Sequence, residues 1–368
     1  MSSFHKINSV LKTLTQKFAQ NHSNYSIVSA ITYAYFSYLH NSNDLILPVL
    51  NFTRNELNSR KDAILLLKNY KIDTENLFFS DDLSRLSRPD FLQGIHLVDH
   101  NTPQGSIKSL KAPIVGIIDH HEDEGQSLQI NPRIIEKSGS CSSLVFKYWF
   151  DQIQDKNLID PDVFKLLLGP LVIDTTNLTS KIESTDLEVF KIYQEYLSDF
   201  NTESFFSDIK EAKNNIEGLS AHEIFAKDYK DFEVLSSNDG HLKKKIGVTS
   251  IVKPFKWLQS NFENLNELSS EFLQLEKLDF FIIMTSFINE QGDFNRELGI
   301  ISQNESNNLL EVQIVESIKD NLSLEKVSNS STSTSTTSEP ILQIFNQKNL
   351  SASRKQVIPV FKKSLEKF

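Results

Sequence analysis

At 368 residues, the chain is long enough for about two domains of ordinary size. Its formal net charge of −10 argues against a general nucleic-acid surface, and its single cysteine, Cys141, excludes a disulfide framework. No apolar segment approaches the ~20 residues of a membrane span, and residues 1–6 contain no secretory hydrophobic core. These features predict a soluble cytoplasmic protein with no membrane or nucleic-acid partner.

The first 80 or so residues alternate predicted helices with short apolar strands, as in an α/β protein. The predicted elements are a helix over 4–19, a helix over 27–39 capped by Ser26, a strand over 45–50, a helix over 54–70 and a strand over 77–79. This alternation favours a parallel sheet, because parallel strands need crossover connections.

Two apolar runs that follow each end in an aspartate. Residues 94–98 lead into Asp99, and residues 112–118, rich in β-branched side chains, lead into Asp119-His120-His121. Such runs are typical of strands buried on both faces of a parallel sheet, whose ligands bind beyond the carboxyl ends of the strands. The sequence therefore predicts a carboxylate and imidazole site at one edge of the sheet.

A third apolar run, 171–173, is closed by Asp174 and follows a predicted helix over 161–168 that Gly169-Pro170 should break. Oxygen ligands suit Mg²⁺ or Mn²⁺, and imidazole shifts the preference towards Mn²⁺. The three aspartates therefore favour a divalent metal site. The alternative is that each aspartate only caps the element that follows it.

The second half of the chain predicts another α/β domain, with a mixed sheet. Residues 181–236 are charged and mainly helical in pattern, and the predicted strands that follow cover 245–252, 278–285, 297–302 and 309–314. The Ser/Thr tract at 328–339 cannot bury apolar surface and predicts a disordered loop or a phosphorylated linker. The last part of the chain consists of residues 351–359 followed by a basic helix, and Arg354 and Lys355 in 351–359 are candidate anion binders or part of a solvated face.

These motifs, in this order and spacing, resemble the DHH phosphoesterase superfamily, and within it the fungal cytosolic exopolyphosphatases, relatives of the family II inorganic pyrophosphatases. The resemblance spans nearly the whole chain. It is carried by residues 29–33, 97–99, 116–121, 138–146, 173–175, 250–253, 296–298 and 354–357.

The resemblance implies an α/β fold of two domains with the active-site cleft between them. The DHH domain, with its parallel sheet, would cover residues 1–197, and the smaller DHH-associated domain would cover residues 206–368 and bind substrate. A pair of Mn²⁺ or Mg²⁺ ions would lower the pKa of a bound water and stabilise the departing oxygen. The implied activity is release of terminal phosphate from inorganic polyphosphate or another small phosphoanhydride, by a monomer.

The resemblance also assigns roles residue by residue. Asp99 matches the carboxylate that bridges the metals, and Asp174 and His120 match further metal ligands. His120 and His121 match the catalytic histidines, with Asp119 orienting an imidazole. The residues that match substrate-binding groups are His121, Lys213, Arg296, Arg354 and Lys355.

One motif departs from the family pattern. Where the family has Asp-x-Asp before the Ser-Ile that opens a helix, this chain has Ser23-Asn24-Tyr25 before Ser26-Ile27. Asn215 and Asn295 also replace an aspartate and a histidine of close relatives. Three hypotheses stay open: an active exopolyphosphatase with an altered metal site, an impaired paralogue that binds polyphosphate without turnover, and a structural protein that uses only the fold.

Overall fold

The computed structural model describes residues 17–21, 26–43, 46–86, 92–235, 243–303, 305–327 and 341–366, with the backbone alone at 17–21, 235 and 305–309. The chain divides into two compact units, Met1–Asn215 and Ile216–Phe368. Among the described residues, no helix has the length and apolar character needed to cross a membrane.

The first unit is built on a six-stranded sheet in which every pairing is parallel. Its strands, in the spatial order β3-β2-β1-β4-β5-β6, are β1 Lys17–Asn21, β2 Ile46–Leu50, β3 Phe78–Phe79, β4 Gly94–Val98, β5 Ile114–Asp119 and β6 Arg133–Ile135. Alternate residues of β4 and β5 enter two apolar clusters, with Val98 and Ile118 in one and Leu97 and Ile117 in the other. Burial on both faces explains the continuous apolar runs of these strands.

Helices cover the larger of these clusters. The helices of the first unit are α1 Ser26–His40, α2 Lys61–Asn69, α3 Leu83–Leu86, α4 Cys141–Gln152, α5 Pro161–Asp174, α6 Ser184–Tyr196 and α7 Thr202–Asn214. Short 3₁₀ turns occupy Arg54–Ser59, Thr74–Asn76, Ser80–Asp82, Gly105–Ser109 and Lys156–Leu158.

Two predicted elements of this unit are wrong. The predicted helix over 4–19 overlaps β1 at residues 17–19, and β1 pairs with β2 and β4 in the middle of the sheet. The rest of that prediction, up to residue 16, lies outside the described residues. The predicted break at Gly169-Pro170 is absent, because α5 runs on to Asp174. Residues 166–173 are all buried, so packing on every side offsets the hydrogen bond that Pro170 cannot donate.

The second unit contains a mixed six-stranded sheet. Its strands, in the order β11-β12-β10-β9-β8-β7, are β7 Tyr229–Leu235, β8 Lys243–Ile251, β9 Phe280–Ile288, β10 Phe294–Ser302, β11 Leu324–Lys326 and β12 Gln343–Gln347. Only the β8–β9 pair is parallel among the described pairings. Its helices are α8 Ala221–Lys227, α9 Phe255–Asn261, α10 Leu265–Leu275, α11 Glu305–Leu322 and α12 Arg354–Leu365.

The predicted two-domain α/β architecture, with a parallel and a mixed sheet, is confirmed. Two local predictions in the second half are wrong: residues 309–314 lie in α11, and residues 229–235 form β7. In α11, Ile314, Ile318 and Leu322 recur every four residues and are buried, which is helical spacing.

The division between the units falls after Asn215, whereas the sequence placed the boundary between 197 and 206. Helix α7 packs Phe205 and Ile209 into the apolar core of the first unit. This packing explains why α7 belongs to the first unit. The Ser/Thr tract at 328–339 lies outside the described residues.

Candidate metal centre

The ends of β4 and β5 bring the two predicted acidic motifs together. The strands pair in parallel with Val98 opposite Ile118, so the residues that follow leave the sheet at the same edge. The backbone N–H of Asp99 donates to the carbonyl of Ile118 at 2.9 Å. Asp99 has a φ of 69°, in the left-handed region where aspartate is among the better tolerated residues.

The carboxylate of Asp99 is buried and joins two elements. One oxygen lies 3.1 Å from Nε2 of His120, and the other accepts a hydrogen bond from the hydroxyl of Ser26. Ser26 was predicted as an N-cap, but it is the first residue of α1, and its side chain contacts Asp99 instead. The start of α1 therefore helps to orient this carboxylate.

His120 is held with its Nε2 towards Asp99. Its Nδ1 lies 2.8 Å from the carbonyl of Ser138, which fixes the ring. Burial lowers the pKa of His120, but the hydrogen bond to Asp99 and the negative charge of Asp99 outweigh burial and raise the pKa to about 9. With no cation bound, the two side chains form an ion pair.

Asp119 orients the second imidazole. This carboxylate is fully buried. Its Oδ1 accepts hydrogen bonds from Nδ1 of His121 and from the backbone N–H of His120, both at 2.7 Å. Its Oδ2 accepts a hydrogen bond from the side-chain amide of Asn101 at 2.6 Å. Burial raises the pKa of Asp119, but these hydrogen bonds and the neighbouring His121 outweigh it, so the pKa lies below its usual value. The His121 side chain is 62% exposed, so it is accessible from solvent.

The donor set fits a divalent cation. Asp99, His120 and His121 each offer one ligand atom, and these three atoms lie within 4.8 Å of one another. Both imidazoles use Nδ1 for a protein oxygen, the usual arrangement of metal-binding histidines, and Nε2 of His120 faces the carboxylate of Asp99. One carboxylate with two imidazoles suits Mn²⁺ better than Mg²⁺.

Asp174 ends α5 close enough to be influenced by this group. Burial and the negative charge of Asp99 raise its pKa to about 7, while a hydrogen bond from Ser140 and the positive charges of Lys213 and His120 act in the opposite direction. Lys213, in the last turn of α7, is therefore within electrostatic reach of Asp174.

The comparisons with known proteins agree with this arrangement of motifs. Residues 207–364 match the family model described as the DHHA2 domain. A Schizosaccharomyces pombe protein named "Putative exopolyphosphatase" is 30% identical over 93% of this chain and 88% of its own length. The chain belongs to the exopolyphosphatase-like proteins of the DHH phosphoesterase superfamily.

Two further comparisons extend the relationship. The mouse protein named "Exopolyphosphatase PRUNE1" is 26% identical over 93% of this chain and 73% of its own length. A crystal structure from Methanococcus jannaschii, described as a "putative family II inorganic pyrophosphatase", superposes with a TM-score of 0.51 at 20% identity, covering 95% of this chain and 99% of that one. That structure supports the fold alone.

The remaining basic residues predicted from this family resemblance lie in the second unit. Two of them donate hydrogen bonds to protein oxygens, and the third is at the surface. Nε of Arg296 donates to the carbonyl of Leu350 at 2.8 Å. The Arg354 guanidinium donates to the carbonyl of Asp228 at 2.6 Å and to its carboxylate at 2.8 Å. Lys355 is exposed in the first turn of α12.

Sequence reasoning missed two residues that shape the candidate metal centre. Asn101 bonds to Asp119, and its position two residues after Asp99 was a usable signal. Asp186 in α6 binds the turn that contacts His120, and no local signal pointed to it. The altered first motif, Ser23-Asn24-Tyr25, lies outside the described residues.

Proposed function

We propose that this chain is a metal-dependent phosphoanhydride hydrolase that releases terminal phosphate from inorganic polyphosphate. The observation that carries the proposal is the convergence of Asp99, His120 and His121 at the carboxyl edge of the parallel sheet. Their occurrence in a chain of the exopolyphosphatase-like family supports the choice of substrate class.

In this proposal, Asp99 and His120 hold a divalent cation, Mn²⁺ or Mg²⁺, and Asp174 contributes once it is deprotonated. A cation bound there supplies an acidic water and positive charge for the departing oxygen. Asp119 raises the pKa of His121 and so favours its doubly protonated form, in which Nε2 of this exposed ring donates a hydrogen bond to a terminal phosphate oxygen. Lys213 lowers the negative charge around Asp174 and so favours an anionic substrate.

We infer that Arg296, Arg354 and Lys355 bind phosphate groups of the substrate, since polyanion recognition needs cationic donors. To bind phosphate, Arg354 must either give up its hydrogen bonds to Asp228 or use guanidinium N–H groups that do not contact Asp228. The cytoplasmic location and the monomeric state stay predictions from the sequence.

A second candidate is binding of polyphosphate without turnover. The sequence observation behind it is Ser23-Asn24-Tyr25, which supplies neither of the two carboxylates of the family motif. A tyrosine hydroxyl, with a pKa near ~10, is a poor ligand for a hard cation at neutral pH. A centre that retains one cation would bind phosphate but would not clamp both the attacking and the departing oxygen.

The test is phosphate release from long-chain polyphosphate by the purified protein in Mn²⁺, beside a Ser23→Asp/Tyr25→Asp double variant and an Asp99→Ala variant. We expect release by the unmodified protein and none by Asp99→Ala. Release that appears only in the double variant would replace the first candidate with the second. Absence of both release and polyphosphate binding would refute both candidates.

A further inference from the structure

Asp186 lies in the first turn of α6 and is completely buried. Its carboxylate accepts five hydrogen bonds, four of them from one short segment that begins α4. The donors are Ser138 Oγ at 2.8 Å, Gly139 N at 2.6 Å, Ser140 N at 3.4 Å, Ser143 Oγ at 2.7 Å and Glu183 N at 2.9 Å. Every one of these donors is a neutral N–H or O–H group, so five dipoles satisfy this buried carboxylate.

The segment that Asp186 holds is the one that orients the metal centre. The carbonyl of Ser138 lies 2.8 Å from Nδ1 of His120, and Ser140 lies near enough to Asp174 to lower the pKa of that carboxyl. Two predicted metal ligands therefore depend on a turn whose position is set by a carboxylate 46 to 48 residues further along the chain.

Close packing leaves this turn little freedom. A Cβ at Gly139 would lie 2.9 Å from Oδ2 of Asp186 and closer still to the carbonyl of Lys181. Only glycine lets the backbone N–H approach the carboxylate at 2.6 Å. The turn and the carboxylate are thus fitted to each other.

We propose that Asp186 is a positioning residue for the metal centre: it fixes the Ser138–Ser140 turn, and through it the ring of His120 and the carboxylate of Asp174. The proposal rests on the proposed function in one respect, that the Asp99 and His120 group binds a cation. Asp186 also accepts from Glu183 at the start of α6, so a purely structural role as a helix cap is the alternative.

The experiment compares Asp186→Asn with Asp160→Asn in the full chain. Asp160 is a matched control, because it is also buried and caps α5 by accepting from the backbone of Asp162 at 2.9 Å. Three quantities are measured: thermal stability, Mn²⁺ affinity by calorimetry, and the hydrogen-bonded Nδ1–H resonance of His120 in metal-free protein, assigned by its loss in His120→Gln.

Asp186→Asn places an N–H₂ group against N–H donors, so the turn should shift. We expect Mn²⁺ affinity to fall about 10- to 100-fold, the range seen when partners of metal ligands are removed. The His120 Nδ1–H resonance should broaden or vanish as its contact with Ser138 loosens. Asp160→Asn should lower stability but leave both other readouts unchanged.

Unchanged Mn²⁺ affinity and an unchanged His120 resonance in Asp186→Asn would overturn the proposal. Asp186 would then have only a structural role as a cap of α6. If Asp186→Asn does not fold, Ser143→Ala removes a single donor and should show the same two effects at smaller size; no effect there also overturns the proposal. If the unmodified protein binds Mn²⁺ but releases no phosphate, the hydrolase proposal fails while this comparison still decides the role of Asp186. If the unmodified protein binds no Mn²⁺, the His120 Nδ1–H resonance of Asp186→Asn decides whether Asp186 positions the His120 ring.

Discussion

The predicted functional side chains are arranged differently in the two units. In the first unit, Asp99, His120 and His121 point ligand atoms at a common space, and Asp119, Ser26 and Ser138 hold them there. In the second unit, Arg296 and Arg354 donate to oxygens of their own unit. The candidate metal ligands are thus held in place by hydrogen bonds, whereas the two arginine side chains are hydrogen-bonded to protein oxygens.

The difference has a topological cause. Parallel strands end at a common edge, so short side chains placed just after β4 and β5 must lie near one another. Arginine and lysine side chains are long and rich in donors, so they reach nearby carbonyls and carboxylates. Convergence of aspartate and histidine at strand ends is therefore the stronger indication of a site.

Removal of the central carboxylate should give the largest effect. Asp99→Ala is expected to weaken Mn²⁺ binding by more than about 100-fold, beyond the range for residues that only orient ligands. Calorimetry with Mn²⁺ measures the loss. His222→Ala, an exposed histidine of the second unit, is the control and should bind Mn²⁺ like the unmodified protein. Equal affinity in the two variants would show that the convergent group is not the metal site.

Asp174→Asn should stabilise the metal-free protein at pH 8. The folded-state pKa of Asp174 is raised from 3.8 to about 7. Well below the unfolded pKa of 3.8, both the folded and the unfolded chain carry the proton, so there is no cost, and at pH 4 the cost is still small. As pH rises towards 7 the unfolded chain loses the proton first, and the cost becomes complete above 7.

One pKa unit corresponds to about 1.4 kcal/mol, so the gain for Asp174→Asn at pH 8 is on the order of 2–4 kcal/mol. Urea denaturation at pH 4 and pH 8, with EDTA present, measures it. The same variant should bind Mn²⁺ more weakly. A gain of equal size at both pH values would contradict the electrostatic origin of the effect.

The ion pair between Arg354 and Asp228 allows a test of the second unit. Arg354→Ala should weaken polyphosphate binding about tenfold, the scale of one charge-assisted hydrogen bond. Asp228→Asn should strengthen it several-fold, because Arg354 then loses a competing carboxylate. The pair is partly exposed, so the stability change should stay below about 1 kcal/mol in Asp228→Asn. Equal, unchanged affinities in the two variants would leave Arg354 with a structural role alone.

Strand and helix predictions failed where the local pattern was weakest. Strand β1 carries polar residues and follows a helix-like pattern, yet it is central because β2 and β4 pair with it. The second half of helix α5, residues 166–173, is buried on all sides, so its 3.6-residue period was hidden there and Pro170 suggested a break. In both cases packing and strand pairing overrode local propensity.

The sequence alone determined that Asp99 and Asp119-His120-His121 follow buried strands, and hence that they meet at one edge of a sheet. Chain order and strand period suffice for that inference. The tertiary structure decided which nitrogen of each imidazole is held by the protein, that Asp186 fixes the Ser138–Ser140 turn, and that Arg354 pairs with Asp228 across 126 residues. Such contacts join side chains far apart in sequence, so only the folded geometry selects them.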